Sequence, residues 1–531
     1  MSDKMIPISF EKLLKSLLQE YKAKNSFLSV PVKRNTDVNY VSKIGPAAGP
    51  HTQLAGNIVA AYAAGSSHFE LKTVQIMEGE MLGIVKPCIY STQEVYNTEW
   101  STELTVKQAA EEYIKAYLLL KILIKEFNLG SEDGFRFIMS VGYDLSGIQS
   151  EKIDEFIEAM KNSSETEEWK KDIAYLLCNI FMFEHITKEY IESISPVIAN
   201  TITLSTMHGC KSDEIEAIAK YLLEEKKLNT YVKMNPTLLG KENIRTILEQ
   251  MGYGHISLSD HTFEMDINFT HAVKMLRNLQ EVAKRAGKSF GVKLTNTLPV
   301  ITNNSELAGD AMYLSGAALY PIAIGVAAKL EEEFAGSLPI SYSGGADANN
   351  IKDILETGIY PVTVSSVLLK NGGYKNLTKM NEQADACEMV EKESVDVNAL
   401  NKLAQKAVSQ SGYFNKENNS FARLENYSLL CAKCNNCVDV CPNRANVKVT
   451  LEEKSYVLHY DNLCNECGNC SFFCIAGHKP YLDKMTVFYD MESFHSSTNE
   501  GIFICEDKTE YRIQNNEEKE IIKQLEENYE F

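Results

Sequence analysis

The sequence predicts an α/β chain: a (β/α)8 barrel followed by a small α+β unit organised around cysteines. Three observations carry this. Short β-rich runs alternate with long helical stretches from about residue 40 to 375. Eight of the 13 cysteines fall in two blocks of identical spacing near the C-terminal end. The 531 residues exceed one ordinary core, so a large domain with smaller pieces is expected.

The β candidates are FELKTV at 69, FRFIMSV at 135, NTITLS at 200, NTYVKM at 229, HISLS at 255, FGVKL at 290, PISYS at 339 and PVTVSS at 361. Helical runs such as TVKQAAEEYIKAYLLLKILIKEF, SDEIEAIAKYLLEEKK and FTHAVKMLRNLQEVAKRAG separate them. Alternation over this length implies a parallel sheet with crossover helices, and about eight repeats favour a closed barrel. Adding the segment near VSKIGPAAGP gives one strand too many; HISLS or FGVKL is the expected extra. The expected organisation is a helical lead-in over 1–35, the barrel over 36–380, a helical linker or brace over 381–425, the cysteine unit over 426–482 and an acidic tail over 483–531. Strand-like runs (MTVFYD, GIFIC) interrupt the tail, whose end reads as a solvated helix.

Hydrophobic content of 44% and charged content of 24% are those of a globular protein. The start, MSDKMIPISFEKLLKSLLQEY, reads as an amphipathic helix and not as a signal peptide. No apolar run approaches the roughly 20 residues that span a membrane, so a cytoplasmic location is expected. A net charge of −19 argues against nucleic acid as a partner.

The cysteine blocks are Cys431-x2-Cys434-x2-Cys437-x3-Cys441-Pro442 and Cys464-x2-Cys467-x2-Cys470-x3-Cys474. This is the spacing of the bacterial ferredoxin run. Three thiolates at two-residue gaps wrap one face of a cubane, and the fourth reaches the other cluster. Cys431, Cys434, Cys437 and Cys474 are therefore expected to hold one [4Fe-4S] cluster, and Cys464, Cys467, Cys470 and Cys441 the second. Structural zinc sites use paired CxxC instead. Cys88, Cys178, Cys210, Cys387 and Cys505 lie outside the blocks.

Barrel active sites gather at the C-terminal ends of strands, with phosphate often held after the seventh and eighth. SYSGGAD ends a late strand with Gly344 and Gly345, and TVSSVLL brings Ser365 and Ser366 to open a helix. Glycine lets backbone N–H groups approach an anion, so these segments read as a phosphate cradle. Other strand ends carry Lys72, Lys233, Asn296 and Thr297; a loop carries Asn97 and Glu99; and TLSTMHGC carries Ser205, Thr206, His208 and Cys210. A lysine in an apolar strand must pair or meet a ligand anion, because a buried lone ammonium is costly.

The ordered motifs KIGPAAGPHT, FELKT, NTE, LSTMHG, VKMNP, LTNT, SGAALYPIAI, YSGGAD and VSSVLL resemble the flavin barrel of dihydropyrimidine and dihydroorotate dehydrogenases over roughly residues 40–370. The whole chain, barrel plus cysteine unit, most resembles the family known as putative selenate reductase subunits, linked with anaerobic purine catabolism. The resemblance implies FMN across the barrel mouth. Lys72 and Lys233 would contact the flavin, and Gly316, Gly344, Gly345, Ser365 and Ser366 would form the phosphate side. Asn97, Asn296 and Thr297 would hydrogen-bond a planar heterocycle. Such amides discriminate well against analogues lacking ring N–H and C=O groups.

Two departures follow. Thr206 stands where dihydropyrimidine dehydrogenase has a cysteine general acid, and Thr203 where it has an asparagine. A threonine hydroxyl is a poor proton donor near neutral pH, so Cys210 or His208 is the alternative donor. Longer relatives also insert an FAD- and nicotinamide-binding unit, whereas no GxGxxG fingerprint occurs here. A separate FAD/NAD(P)-binding flavoprotein subunit or a ferredoxin is then the expected electron donor. The reading is an oxidoreductase acting on a small N-heterocycle, an oxopurine first and a pyrimidine second. The rival is an electron-transfer subunit of a selenate-reductase-like complex with a non-catalytic barrel.

Overall fold

The computed structural model describes residues 5–33, 41–92, 94–98, 101–206, 208–302, 307–309, 311–387, 394–410, 413, 429, 431, 434–451, 453–505 and 508–528. Eight strands form one parallel sheet: β1 (Ile44–Pro46), β2 (His68–Glu70), β3 (Arg136–Val141), β4 (Thr201–Leu204), β5 (Asn229–Met234), β6 (Phe290–Leu294), β7 (Ile340–Tyr342) and β8 (Val362–Val364). Their spatial order is β1-β8-β7-β6-β5-β4-β3-β2, each beside its sequence neighbour. β1 and β2 complete the circle. A side-chain carbon on Gly45 would stand 1.4 Å from the His68 carbonyl oxygen, so this approach admits only glycine.

The FGVKL run is β6. HISLS is not a barrel strand; Ser257 makes one isolated antiparallel bridge to Ile301. Its alternating apolar residues serve a second, four-stranded antiparallel sheet, Leu298–Ile301, Ala311–Gly316, Glu94–Asn97 and Ile89–Ser91, built from the loops after β2 and β6.

Helix boundaries follow local chemistry. Thr105 Oγ1 accepts from Gln108 N at 3.2 Å and Gln108 Oε1 accepts from Thr105 N at 3.0 Å, a reciprocal cap that starts the helix Val106–Phe127. The helix Phe269–Ala286 starts on Asn268 and ends on Gly287 at φ +65°. The lead-in helix Phe10–Lys24 packs onto the barrel, with Tyr21 stacked on Phe127 at 3.9 Å between ring centres.

The expected linker is a brace. Helix Val397–Ser409 buries Leu400, Leu403 and Ala407 and bonds to barrel helices through Asn401–Glu332 and Lys406–Asp353.

The division at 482/483 does not mark a structural break. Strands Asn446–Leu451 and Lys454–Tyr460 share one five-stranded sheet with Thr486–Phe488, Gly501–Cys505 and Lys508–Arg512. The acidic helix Asn516–Asn528 buries Ile522 and Leu525 completely, in the same apolar cluster as Val449, Val487 and Ile502. Its many acids hide an apolar stripe at i, i+3 spacing.

Among the described residues no helix is long and apolar enough to cross a membrane.

Candidate functional site

The barrel mouth holds a cavity that gathers eleven of the residues singled out above. Lys72, Lys233, Asn296 and Thr297 reach it from strand ends, and Asn97 from the antiparallel sheet above. Gly316, Gly344 and Gly345 form one side with Ser365 and Ser366. The shared placement follows from topology: parallel strands closed in a barrel bring all their C-terminal ends to one rim.

The glycine side is closely built. Gly345 adopts φ +73°, and a side-chain carbon there would lie 2.3 Å from Gly316 O. At Gly344 it would lie 2.4 Å from Ala323 Cβ, and at Gly49 2.5 Å from Ser365 Oγ. A side chain at any of the three would collide with the wall itself, so this side of the cavity is lined by backbone. Ser366 opens a four-residue 3-10 turn, Ser366–Leu369, instead of the expected helix, so that end brings only a short dipole.

Burial lowers Lys72 to about 8, opposed by the negative charge of Glu103. Burial lowers Lys233 also, opposed by Glu70. Asn296 Nδ2 donates to Asn235 Oδ1 at 2.7 Å, which fixes its amide. Thr295 Oγ1 is buried on the cavity wall without a hydrogen-bond partner among the described residues.

The three acid candidates stand elsewhere. From the segment after β4, Ser205 lines the cavity, whereas Thr206, His208 and Cys210 are not among the described lining residues. His208 Nδ1 lies 2.8 Å from Asp266 Oδ2, and its Nε2 lies 3.3 Å from the Thr297 carbonyl oxygen. The ring braces the Asn296–Thr297 segment. Cys210 Sγ donates to Glu214 Oε2 at 3.6 Å; burial, then Glu214, pushes its thiol up to about 12. Glu99 lies outside the described residues.

The cysteine blocks fold as matched halves. Asn435 (φ +62°) and Gly468 (φ +81°) occupy equivalent places, each followed by a short helix, Asn436–Asp439 and Asn469–Phe472. Cys441, Cys464, Cys467 and Cys470 ring one cavity with His459 and Tyr481. Backbone N–H groups of Ala445 and Glu466 donate to Cys441 Sγ and Cys464 Sγ, each at 3.2 Å. Burial pushes Cys437 up to about 12, opposed by Lys484 and reinforced by Cys431, Cys434 and Cys474. Cys441, from the first block, thus shares its cavity with three cysteines of the second. Among the described residues no three His, Cys, Asp or Glu groups converge on a single-ion site. A cubane asks for something different, one thiolate at each of four corners around a cavity.

The two sites share a wall, which sequence reasoning missed. Ile89 N–H donates to Cys467 O at 2.9 Å, and Asn469 Nδ2 donates to Leu369 O at 2.9 Å. Ile89, Val95 and Leu369 line the mouth cavity and pack with Cys467 and Cys88 in one buried cluster. A side-chain carbon on Gly468 would stand 2.5 Å from Pro87 Cβ, so this junction also demands glycine.

The fold defines the class: a (β/α)8 barrel joined to a cysteine-bearing C-terminal unit. A family model described as "Oxidoreductase YgfK, N-terminal TIM-barrel domain" matches residues 21–415, and the chain belongs to that family. It is 43% identical over 432 residues to "Putative oxidoreductase YgfK" of Escherichia coli K12, and equally to that of E. coli O157:H7. The match covers 77% of this chain and 42% of each relative, so the chain spans about two-fifths of their length. A solved dihydroorotate dehydrogenase from Eimeria tenella, in complex with ferulenol, aligns at TM-score 0.40 and 14% identity. That alignment covers 76% of this chain and 94% of that one, a likeness too distant to bear on function.

Proposed function

We propose that this protein is an iron–sulfur flavoprotein oxidoreductase that reduces, or in reverse oxidises, a C=C or C=N bond of a planar N-heterocycle, an oxopurine first and a pyrimidine second. The observation that carries the reading is the shared wall: the cavity ringed by Cys441, Cys464, Cys467 and Cys470 abuts the barrel mouth through Ile89 and Leu369. Bound FMN and two [4Fe-4S] clusters would supply paired and single electron transfer respectively.

The chain's own residues fit such groups. Lys72 and Lys233 bring cations to the mouth, and Lys233 has no ion-pair partner among the described residues. The Gly344–Gly345 backbone, with Ser365 and Ser366, offers N–H and hydroxyl donors to a phosphate. Asn97, Asn296 and Thr297 offer amide and hydroxyl groups to ring N–H and C=O. Ser205, from the segment read for the acid, brings a hydroxyl to the same cavity. Cys434 is exposed, and no cysteine of the other set is. A partner delivering electrons would therefore dock at the Cys431/Cys434/Cys437/Cys474 side, and its expected class is an FAD/NAD(P)-binding flavoprotein subunit or a ferredoxin.

Anaerobically purified protein tests this by iron, sulfide and acid-released flavin assays. Reduced protein is then mixed with a panel of oxopurines and oxopyrimidines while flavin absorbance is followed. Bound flavin reoxidised by one ring class is expected. Iron and sulfide without flavin would favour the second reading, an electron-transfer subunit of a selenate-reductase-like complex. One observation favours that alternative: the segment after β4 brings no thiol or imidazole to the mouth cavity among the described residues.

A further inference from the structure

We propose that the barrel interior conducts protons from its lower end to the mouth cavity, through Glu70, Lys293 and Thr363. The inference rests on the functional reading above. Reducing a ring double bond takes two electrons and two protons per molecule. Electrons arriving singly from a one-electron donor protein bring no protons with them. The mouth lining, among the described residues, holds no carboxylic acid, imidazole or thiol; its titratable groups are Lys72 and Lys233. A lysine that gives up its proton there must be recharged, and Thr363 is the lining hydroxyl that touches charged groups beneath the mouth.

A second cavity opens at the opposite end of the barrel, where the strands begin, and Arg136, Thr201, Asn229 and Ser289 line it. Glu70 and Ser341 also reach this lower cavity, whereas Thr363 lines the mouth. Lys293 joins them. Its Nζ stands 3.0 Å from Glu70 Oε2, 3.1 Å from Ser341 Oγ and 2.5 Å from Thr363 Oγ1. Thr363 Oγ1 in turn donates to Glu70 Oε2 at 3.3 Å. All four side chains are at most 4% exposed, so one buried layer of hydrogen bonds separates the two cavities.

The chemistry balances. Glu70 Oε1 has no hydrogen-bond partner among the described residues and takes a proton from the lower cavity. The Thr363 hydroxyl turns away from Glu70 Oε2 and gives its proton to the mouth as it takes one from the Lys293 ammonium. Glu70 then reprotonates Lys293, so one proton enters below, one leaves above and the charges are restored. Burial lowers Lys293, against the pull of Glu70, which eases the release.

The full chain carrying its clusters and flavin tests this, photoreduced anaerobically in weak buffer with a pH-indicator dye that reports proton uptake. Glu70→Gln and Thr363→Val are expected to slow uptake by about 10- to 100-fold, the scale of a lost proton-transfer group. Thr363→Ser, which keeps the hydroxyl, is expected to match the parent. Uptake at the parent rate in both Glu70→Gln and Thr363→Val would overturn the relay, as would Thr363→Ser proving as slow as Thr363→Val. The threonine pair decides the matter even if Glu70→Gln does not fold. A parent protein that takes up no protons on reduction would sink the functional reading and the relay together. Normal parental uptake with unaffected variants sinks the relay alone.

Discussion

Lys293→Met puts the buried charge network to a stability test. Lys293 and Glu70 are each 1% exposed and their charged atoms stand 3.0 Å apart. Removing the ammonium leaves the carboxylate buried with only the Thr363 hydroxyl and the Ala48 N–H, both at 3.3 Å. Breaking one side of a buried pair costs roughly 3–5 kcal/mol, a large share of the roughly 5–15 kcal/mol that holds a typical domain. Combining Lys293→Met with Glu70→Gln removes the stranded charge and should cost well under the sum of the two single changes. The cost also depends on pH. Burial alone would raise the Glu70 carboxyl, but Lys293 and then Lys233 hold it below the ordinary value. The parent pair therefore stabilises at neutral pH, and that contribution is lost as pH falls through the depressed carboxyl value. Without Lys293, burial dominates and Glu70 moves up. The variant's deficit should widen as pH rises through and above the ordinary carboxylate range, and narrow in acid. Urea titration followed by far-ultraviolet circular dichroism at several pH values measures this. A loss below about 1 kcal/mol, or a double variant as unstable as the sum, would refute the reasoning.

Two further outcomes are expected. Gly345→Ala forces a side-chain carbon to within 2.3 Å of Gly316 O at φ +73°, where an L residue already costs roughly 1–2 kcal/mol. Flavin retained through gel filtration should fall while iron content holds; full flavin occupancy would count against the glycine cradle. Cys470→Ala removes one corner of the site beside the barrel, and iron per chain should drop to about half while the Cys431/Cys434/Cys437/Cys474 site keeps its iron. Chemical iron assay with electron paramagnetic resonance of the reduced protein reads this, and unchanged iron would reject the crossed assignment.

Much of the barrel was legible because its strands are short, apolar and separated by long amphipathic helices. HISLS looked as good a strand as FGVKL, because periodicity reports an exposed and a buried side without saying which sheet buries it. Mouth residues such as Gly344, Ser365 and Lys72 could be named because polar groups at parallel strand ends have one place to go. The placement of Thr206, His208 and Cys210 was not legible. A loop residue's direction depends on partners its own segment does not announce, here the distant Asp266 for His208 and the nearby Glu214 for Cys210. The Glu70–Lys293 pair escaped notice for the same reason, since 223 positions separate its members. The wall between cysteines and barrel rests on Ile89 and Leu369, ordinary apolar residues whose importance is positional. The C-terminal strands were visible as runs, but nothing local revealed that they extend the hairpin.

That hairpin has a consequence for how the molecule is assembled. Strand Lys454–Tyr460 takes its second neighbour, in parallel, from Thr486–Phe488, which in turn needs Gly501–Cys505 beside it. During synthesis both cysteine blocks leave the ribosome before the segments that frame them. The thiol-bearing loops are then tethered to a lone two-stranded ribbon, marginal by itself in water. Whatever group the thiols hold can be locked in place only after translation has passed residue 505, so the loading of these loops is a late event in the life of the chain.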